Sequence, residues 1–209
     1  MMTVHRGILL KSSGFFKSAF KPEWASQRPD PNTFAMPEDS PEQVRQYISW
    51  RYTGSVSIPL YYKAPATSPE ARAVEATEAA KVYIALAHAY VFGERILDNA
   101  YTNAVVTHMI AAAEASDWGM GPEFAKVLYD GTLPGCSARR LFADMVGWMA
   151  WDDSEESVGW RTFVDGYEKE MLVDIMKSVI RSRKGVGGPE PRPWEVAPGT
   201  YLEEEIEDR

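Results

Sequence analysis

Three histidines, one cysteine and three runs of neighbouring carboxylates are the side chains with which this sequence could do chemistry. His5, His88 and His108 offer no His-x-x-x-His pair, and the lone Cys136 leaves no Cys-x-x-Cys. The common zinc ligand sets are therefore missing from the sequence pattern. His88 and His108 fall inside helical patterns and read as ordinary core or surface histidines. Cys136 sits in Leu-Pro-Gly-Cys-Ser, a turn leading into a helix. The start of a helix favours a thiolate, although a lone thiol in a turn is more often inert. The carboxylate runs Glu38–Asp39, Asp152–Asp153 and Glu203 to Glu205 lie in polar stretches. Nothing there foretells the burial that would tune one of them for acid–base work. No Gly-x-Ser-x-Gly elbow occurs, and Gly185-Val186-Gly187-Gly188 is not followed by the Lys-Ser/Thr of a phosphate loop. The residues imply no cofactor, no metal and no enzyme, with an enzyme that uses Cys136 as an alternative reading.

Length and composition agree with a folded chain that buries a core. The chain has 209 residues, 45% of them hydrophobic and 25% charged, which suits one large domain or a domain with a helical extension. Seven Trp, ten Tyr and eight Phe supply large apolar surfaces. The net charge of −8 argues against broad binding of nucleic acid, which needs clustered cations. The dense basic run Arg181-Ser182-Arg183-Lys184 reads as a helix C-terminus complementing its dipole. No apolar run approaches the roughly 20 residues of a membrane helix. A single cysteine excludes an internal disulfide and suits a reducing compartment, so the expectation is an intracellular protein of cytoplasm or nucleus with no membrane partner.

The elements that must position these residues are mostly helices. Arg6 to Phe20 reads as helical in two pieces around residues 12–14, and the proline-rich run from Lys21 to Asn32 as loop. Thr33–Met36 and Ser55–Ile58 are two short strand candidates. Between them lies the organising stretch of the chain. Ser40 is an N-cap, Pro41 stands at the first helical position, and Gln43 completes a capping box. Val44, Tyr47, Ile48 and Tyr52 make one apolar face, and Gly54 ends the helix. Ser68-Pro69-Glu70 opens a long helix that Gly93 is expected to stop. Further helices follow at about 95–115, 122–129, one that Ser137 caps with Leu141, Phe142, Met145 and Met149 on its face, and 160–180. In the last of these Trp160, Phe163, Tyr167, Met171, Ile175 and Val179 form one stripe. Residues 185–209 are rich in Gly, Pro and Glu and read as disordered.

Two blocks of residues point further. Met36-Pro37-Glu38-Asp39, a short helix and then Trp50-Arg51-Tyr52-Thr53-Gly54 resembles the middle of a BTB/POZ domain, particularly the fungal kind. Upstream, Val4-His5-Arg6 with Leu9, Leu10, Ser13 and Phe15-Phe16-Lys17 is similar to that family's earlier signature, in the right order and about half a domain away. The paired helices near 70–115 also fit. Residues 127–142, with Tyr129, a Gly-containing turn and Arg139-Arg140, resemble the segment that follows the BTB core in many fungal proteins.

The resemblance implies a mainly α fold with a small β component: a BTB/POZ-like domain over 1–116, a C-terminal helical extension over 117–184, and the tail over 185–209. It implies structural roles for His5, Ser13, Phe16, Pro37, Tyr52 and Gly54, and no catalytic residue. The family's β-hairpin would precede Val4, where only three residues stand. The expectation is thus a BTB-like domain lacking that hairpin, N-terminally truncated or degenerate, with weak or atypical self-association. The function implied is a non-catalytic protein–protein interaction module, an adapter or scaffold. A cullin-type ubiquitin ligase scaffold is one partner class, and a degenerate protein with little activity is another alternative. Trp50, Tyr61 and Tyr62, which flank loops, are the candidates for an interaction surface.

Overall fold

The protein is described by a computed structural model over residues 2–11, 13–63, 68–116, 118–149, 160–182 and 193–203. Its helices are α1 (Arg6–Leu9), α2 (Gly14–Ala19), α3 (Pro22–Ala25), α4 (Pro41–Thr53), α5 (Pro69–Arg95), α6 (Asn99–Ser116), α7 (Pro122–Gly131), α8 (Ser137–Met149), α9 (Lys169–Ser182) and α10 (Pro193–Val196). Two 3-10 turns, Trp160–Gly166 and Pro198–Tyr201, complete the order.

Among the described residues there is no strand, so the expected small β component is corrected. The reason lies in where the backbone groups go, since a ladder needs a partner strand and every buried polar group needs a partner. Near Thr33–Met36, the Asp30 carboxylate takes the Asn32 amide at 2.9 Å and the Thr33 hydroxyl. Phe34 is drawn onto Phe16 and Phe20. At the other candidate strand the Ile58 carbonyl meets His108 Nε2 at 2.7 Å. Just beyond it the Lys63 amide donates to the carbonyl of Ala115 at the end of α6. Both segments are tied to helices.

The cap signals decide the helix ends they mark. At α4 both halves of the capping box form, Gln43 N donating to Ser40 Oγ and Gln43 Oε1 accepting from Ser40 N. Gly54 closes α4 in the left-handed region at φ 73°, where a side chain would be strained. Ser68 caps α5 through the Ala71 amide. Gly93 does not stop α5, which runs on to Arg95. A Cβ at Gly93 would sit 2.7 Å from a methyl of Thr102, so this glycine serves the close approach of α5 and α6. Ser137 is the first residue of α8 rather than its cap, because the Cys136 carbonyl already accepts the Arg140 amide. Two short departures also appear: one helical turn at α3, and a 3-10 turn before α9 where one helix is expected.

Helix α5 is the spine, packing against α4, α6 and α7. A single apolar core runs from Leu9 and Phe16 to Trp194 and Tyr201, and it crosses the boundary expected at 116–117. Tyr83 of α5 meets Phe124 of α7 edge-on across it. Within the tail read as disordered, residues 193–203 pack on this core, with Trp194 and Tyr201 buried. Among the described residues no helix is long and apolar enough to cross a membrane.

Candidate functional site

The residues of the first signature meet around the turn between α5 and α6. Ser13 is fully buried. Its hydroxyl donates to the Ile96 carbonyl at 2.7 Å and accepts the Phe16 amide at 3.2 Å. The amides of Gly14 and Phe15 donate to the carbonyls of Leu97 and Ile96. The free amides of one helix start are thereby satisfied by the carbonyls of a turn far along the chain. Leu97 adopts a left-handed backbone at φ 54°, uncommon for a leucine, and its carbonyl is one of the two so engaged. No sequence signal marked Leu97, because the requirement is tertiary.

Beside this turn stands a nest of rings. Tyr47 of α4 stacks on Phe16 and packs against Trp50, Phe92 and Tyr101. Its hydroxyl donates to Asp98 Oδ2 at 2.8 Å, while Asp98 Oδ1 accepts the Tyr101 amide at 3.1 Å and so caps α6. Asp98 is fully buried and was not singled out in the sequence. An Asp immediately ahead of the helix that begins at Asn99 is a cap signal that could have found it. Burial pushes the Tyr101 hydroxyl far above its usual range, with the Asp98 charge adding to it, so this phenol stays neutral. The nest is a structural joint.

The outward side of the same region is different in character. Tyr52 is half exposed, His5 packs edge-on against it, and its hydroxyl accepts the His5 amide at 3.3 Å. Arg51 reaches under α1 to the Ile8 carbonyl at 2.8 Å. Between them, Met2, Thr3, Arg45, Gln46, Ser49 and Ser57 line a shallow open groove along α4. Of the three aromatics expected at an interaction surface, Tyr62 is 70% exposed and Tyr61 half-buried, but Trp50 turns inward at 8%. Pro37 lies exposed in the turn before α4. Asp39 pairs with Arg95, which ties this turn to the end of α5.

In the extension, Arg139 is the anchor. It is 2% exposed, and its guanidinium covers the Tyr129 ring at 4.2 Å. It donates to the carbonyls of Tyr129 and Thr132, to the Thr132 hydroxyl and to Glu170 Oε1. One planar cation thus locks α7, the turn after it, α8 and α9 together, which a lysine's point charge would do less well. The Tyr129-to-Arg139 spacing noted in the sequence is the spacing of this clamp.

Cys136 is half-buried, its Sγ 3.5 Å from the Thr132 hydroxyl, beside Tyr90 and below the C-terminal segment. Burial raises the Glu94 carboxyl above its ordinary range, and the nearby Glu203 charge adds to the rise. Glu203 itself is held by Ser137 and Arg140, and its main chain brackets the Asn103 side chain in two hydrogen bonds. Asp152–Asp153 and residues 204–205 lie outside the described residues, as does Gly185 to Gly188. Among the described residues no group of three His, Cys, Asp or Glu gathers as a metal site. The chain matches no family model, no curated protein and no solved structure.

Proposed function

We propose that this protein is a non-catalytic protein–protein interaction module, BTB/POZ-like in the order of its first helices, that acts as an adapter or scaffold inside the cell. The observation that carries the reading is the division of labour along α4. Its inward residues Tyr47 and Trp50 are committed to the ring nest, whereas Arg45, Gln46, Ser49 and Tyr52 are free to form an outer surface beside the groove. Phe16, stacked on Tyr47, braces α4 from behind, which is what a docking face requires. Its polar edge, with the half-exposed Tyr52 on the same helix, has the composition of an interface with an aromatic anchor. A cullin-type scaffold is one partner class for such a face.

The test is an affinity capture from lysate with the full chain, read by mass spectrometry beside the double variant Arg45→Glu, Ser49→Arg. Both positions are surface-facing, so the variant should fold and melt like the parent. The expected result is a defined set of proteins held by the parent and lost by the variant. An identical set for both, or none above background, would sink the reading of the α4 face.

A further inference from the structure

Helix α9 has two apolar faces, and among the described residues only one is covered. Met171 and Ser178 are buried against α8, with Ile175 and Val179 partly so. On the opposite side Leu172, Val173, Met176 and Ile180 are 37, 42, 59 and 64% exposed. At about 100° per residue these four share one side of the helix, over about 12 Å of its length. A stripe of this kind on an exposed helix is the usual mark of a partner surface.

The charges beside the stripe say which partner fits. Along one flank run Glu170, Asp174, Lys177 and Arg181, acidic toward the N-terminal end and basic toward the C-terminal end. Each is already engaged in its own chain: Glu170 with Arg139, Asp174 with Lys177 and the Tyr129 hydroxyl, Arg181 with Asp144. The side chains of Glu170, Lys177 and Arg181 nevertheless remain more than half exposed. When two copies of α9 run antiparallel about a two-fold axis between Ile175 and Met176, each flank meets the same flank of the other copy. Glu170 then lies opposite Arg181, Asp174 lies opposite Lys177, and the two Met176 side chains meet near the axis. A parallel two-fold arrangement would put the two charged flanks on opposite sides of the pair, where they do not meet. The pattern is self-complementary in one orientation only, which is the requirement of an isologous contact.

We propose that the outer face of α9 docks a second copy of this chain, antiparallel, with Met176 at the two-fold axis. The contact is small, so it belongs with weak interfaces, half-dimerised on the order of 100 µM. It stands apart from the α4 reading, because it concerns another face and another partner.

Sedimentation velocity over a concentration series of the full chain tests it. The parent should pass from monomer to dimer, and Met176→Asp should stay monomeric with an unchanged thermal melt. Orientation is read by oxidative cross-linking in a Cys136→Ser background. Leu172→Cys mixed with Ile180→Cys should cross-link several-fold faster than either protein alone. A parent that stays monomeric throughout would overturn the proposal, even if it then bound an apolar helical peptide or lipid vesicles. So would a dimer that survives Met176→Asp, or Leu172→Cys linking to itself as fast as the mixture does.

Discussion

Helices α6 and α9 both carry more apolar surface than one neighbouring helix can cover, and the chain treats them in opposite ways. Around α6 the residues Tyr101, Val105, Val106, Met109, Ile110 and Ala112 are all buried. Helix α5 covers one side, and the segment 193–203 packs over another, held by the paired hydrogen bonds between Asn103 and Glu203. At α9 the inner face meets α8 while the stripe from Leu172 to Ile180 is left out. A helix with apolar residues on several faces demands several covers. Whether those covers lie in the same chain is not a property of the helix. The difference separates a surface finished by folding from one left for association.

The largest test of that contrast removes the cover over α6. Trp194 is 1% exposed, so Trp194→Ala deletes a fully enclosed ring and should cost ~3–5 kcal/mol in chemical denaturation. A loss below about 0.5 kcal/mol, the range of ordinary surface changes, would mean that the C-terminal segment covers nothing of consequence. A smaller loss is expected on the α9 side. Arg139→Met keeps most of the side-chain volume but strips the Tyr129 and Thr132 carbonyls of their donor. That should cost ~1–3 kcal/mol, because only polar satisfaction is lost and Glu170 is half exposed to water. If Arg139→Met proved worse than Trp194→Ala, the polar clamp rather than the apolar cover would be what holds the extension in place.

How much of this was legible in the sequence follows from how local each signal is. The capping box at Ser40 and Gln43, the left-handed Gly54 and the Ser68 cap are local, and the structure forms each where the residues predict. Of the stripe expected from Trp160 through Val179, Tyr167, Met171 and Ile175 face the core, while Phe163 is 37% exposed in the 3-10 turn ahead of α9. The second stripe on the same helix was missed because a sequence stripe does not say which face has a neighbour. The strands at Thr33–Met36 and Ser55–Ile58 failed for a related reason: alternation over four residues is compatible with any extended segment, and pairing depends on a distant partner. Segment 193–203 was hidden by its surroundings. Its Gly- and Pro-rich setting suggests disorder, yet Trp194 and Tyr201 each fill a place in the core. At the candidate sites, Ser13 is marked only by the resemblance of its block, and Arg139 only as part of the 127–142 block. Asp98 and Leu97 acquire their roles only when α2 and α4 arrive at the turn between α5 and α6.

The smallest expected effect lies beneath the same C-terminal segment, at Glu94. Burial lifts this carboxyl above its ordinary value of 4.5, the Glu203 charge lifts it further, and the Tyr90 hydroxyl offsets part of the rise. A raised carboxyl binds its proton more tightly in the folded state than in the unfolded one. Its contribution therefore favours folding most at pH below the ordinary carboxylate value, and is lost as pH rises through the raised folded value. At neutral pH the charged group is a net burden. Glu94→Gln removes it, so the variant should melt higher than the parent at neutral pH, with the gap closing as pH falls through the raised folded value toward 4.5 and gone below that. Thermal melts of both proteins across that range would show it. A gap that is constant with pH would mean that Glu94 meets solvent freely and that the segment ending at Glu203 does not lie over it, which would weaken the contrast between the covered α6 and the open α9.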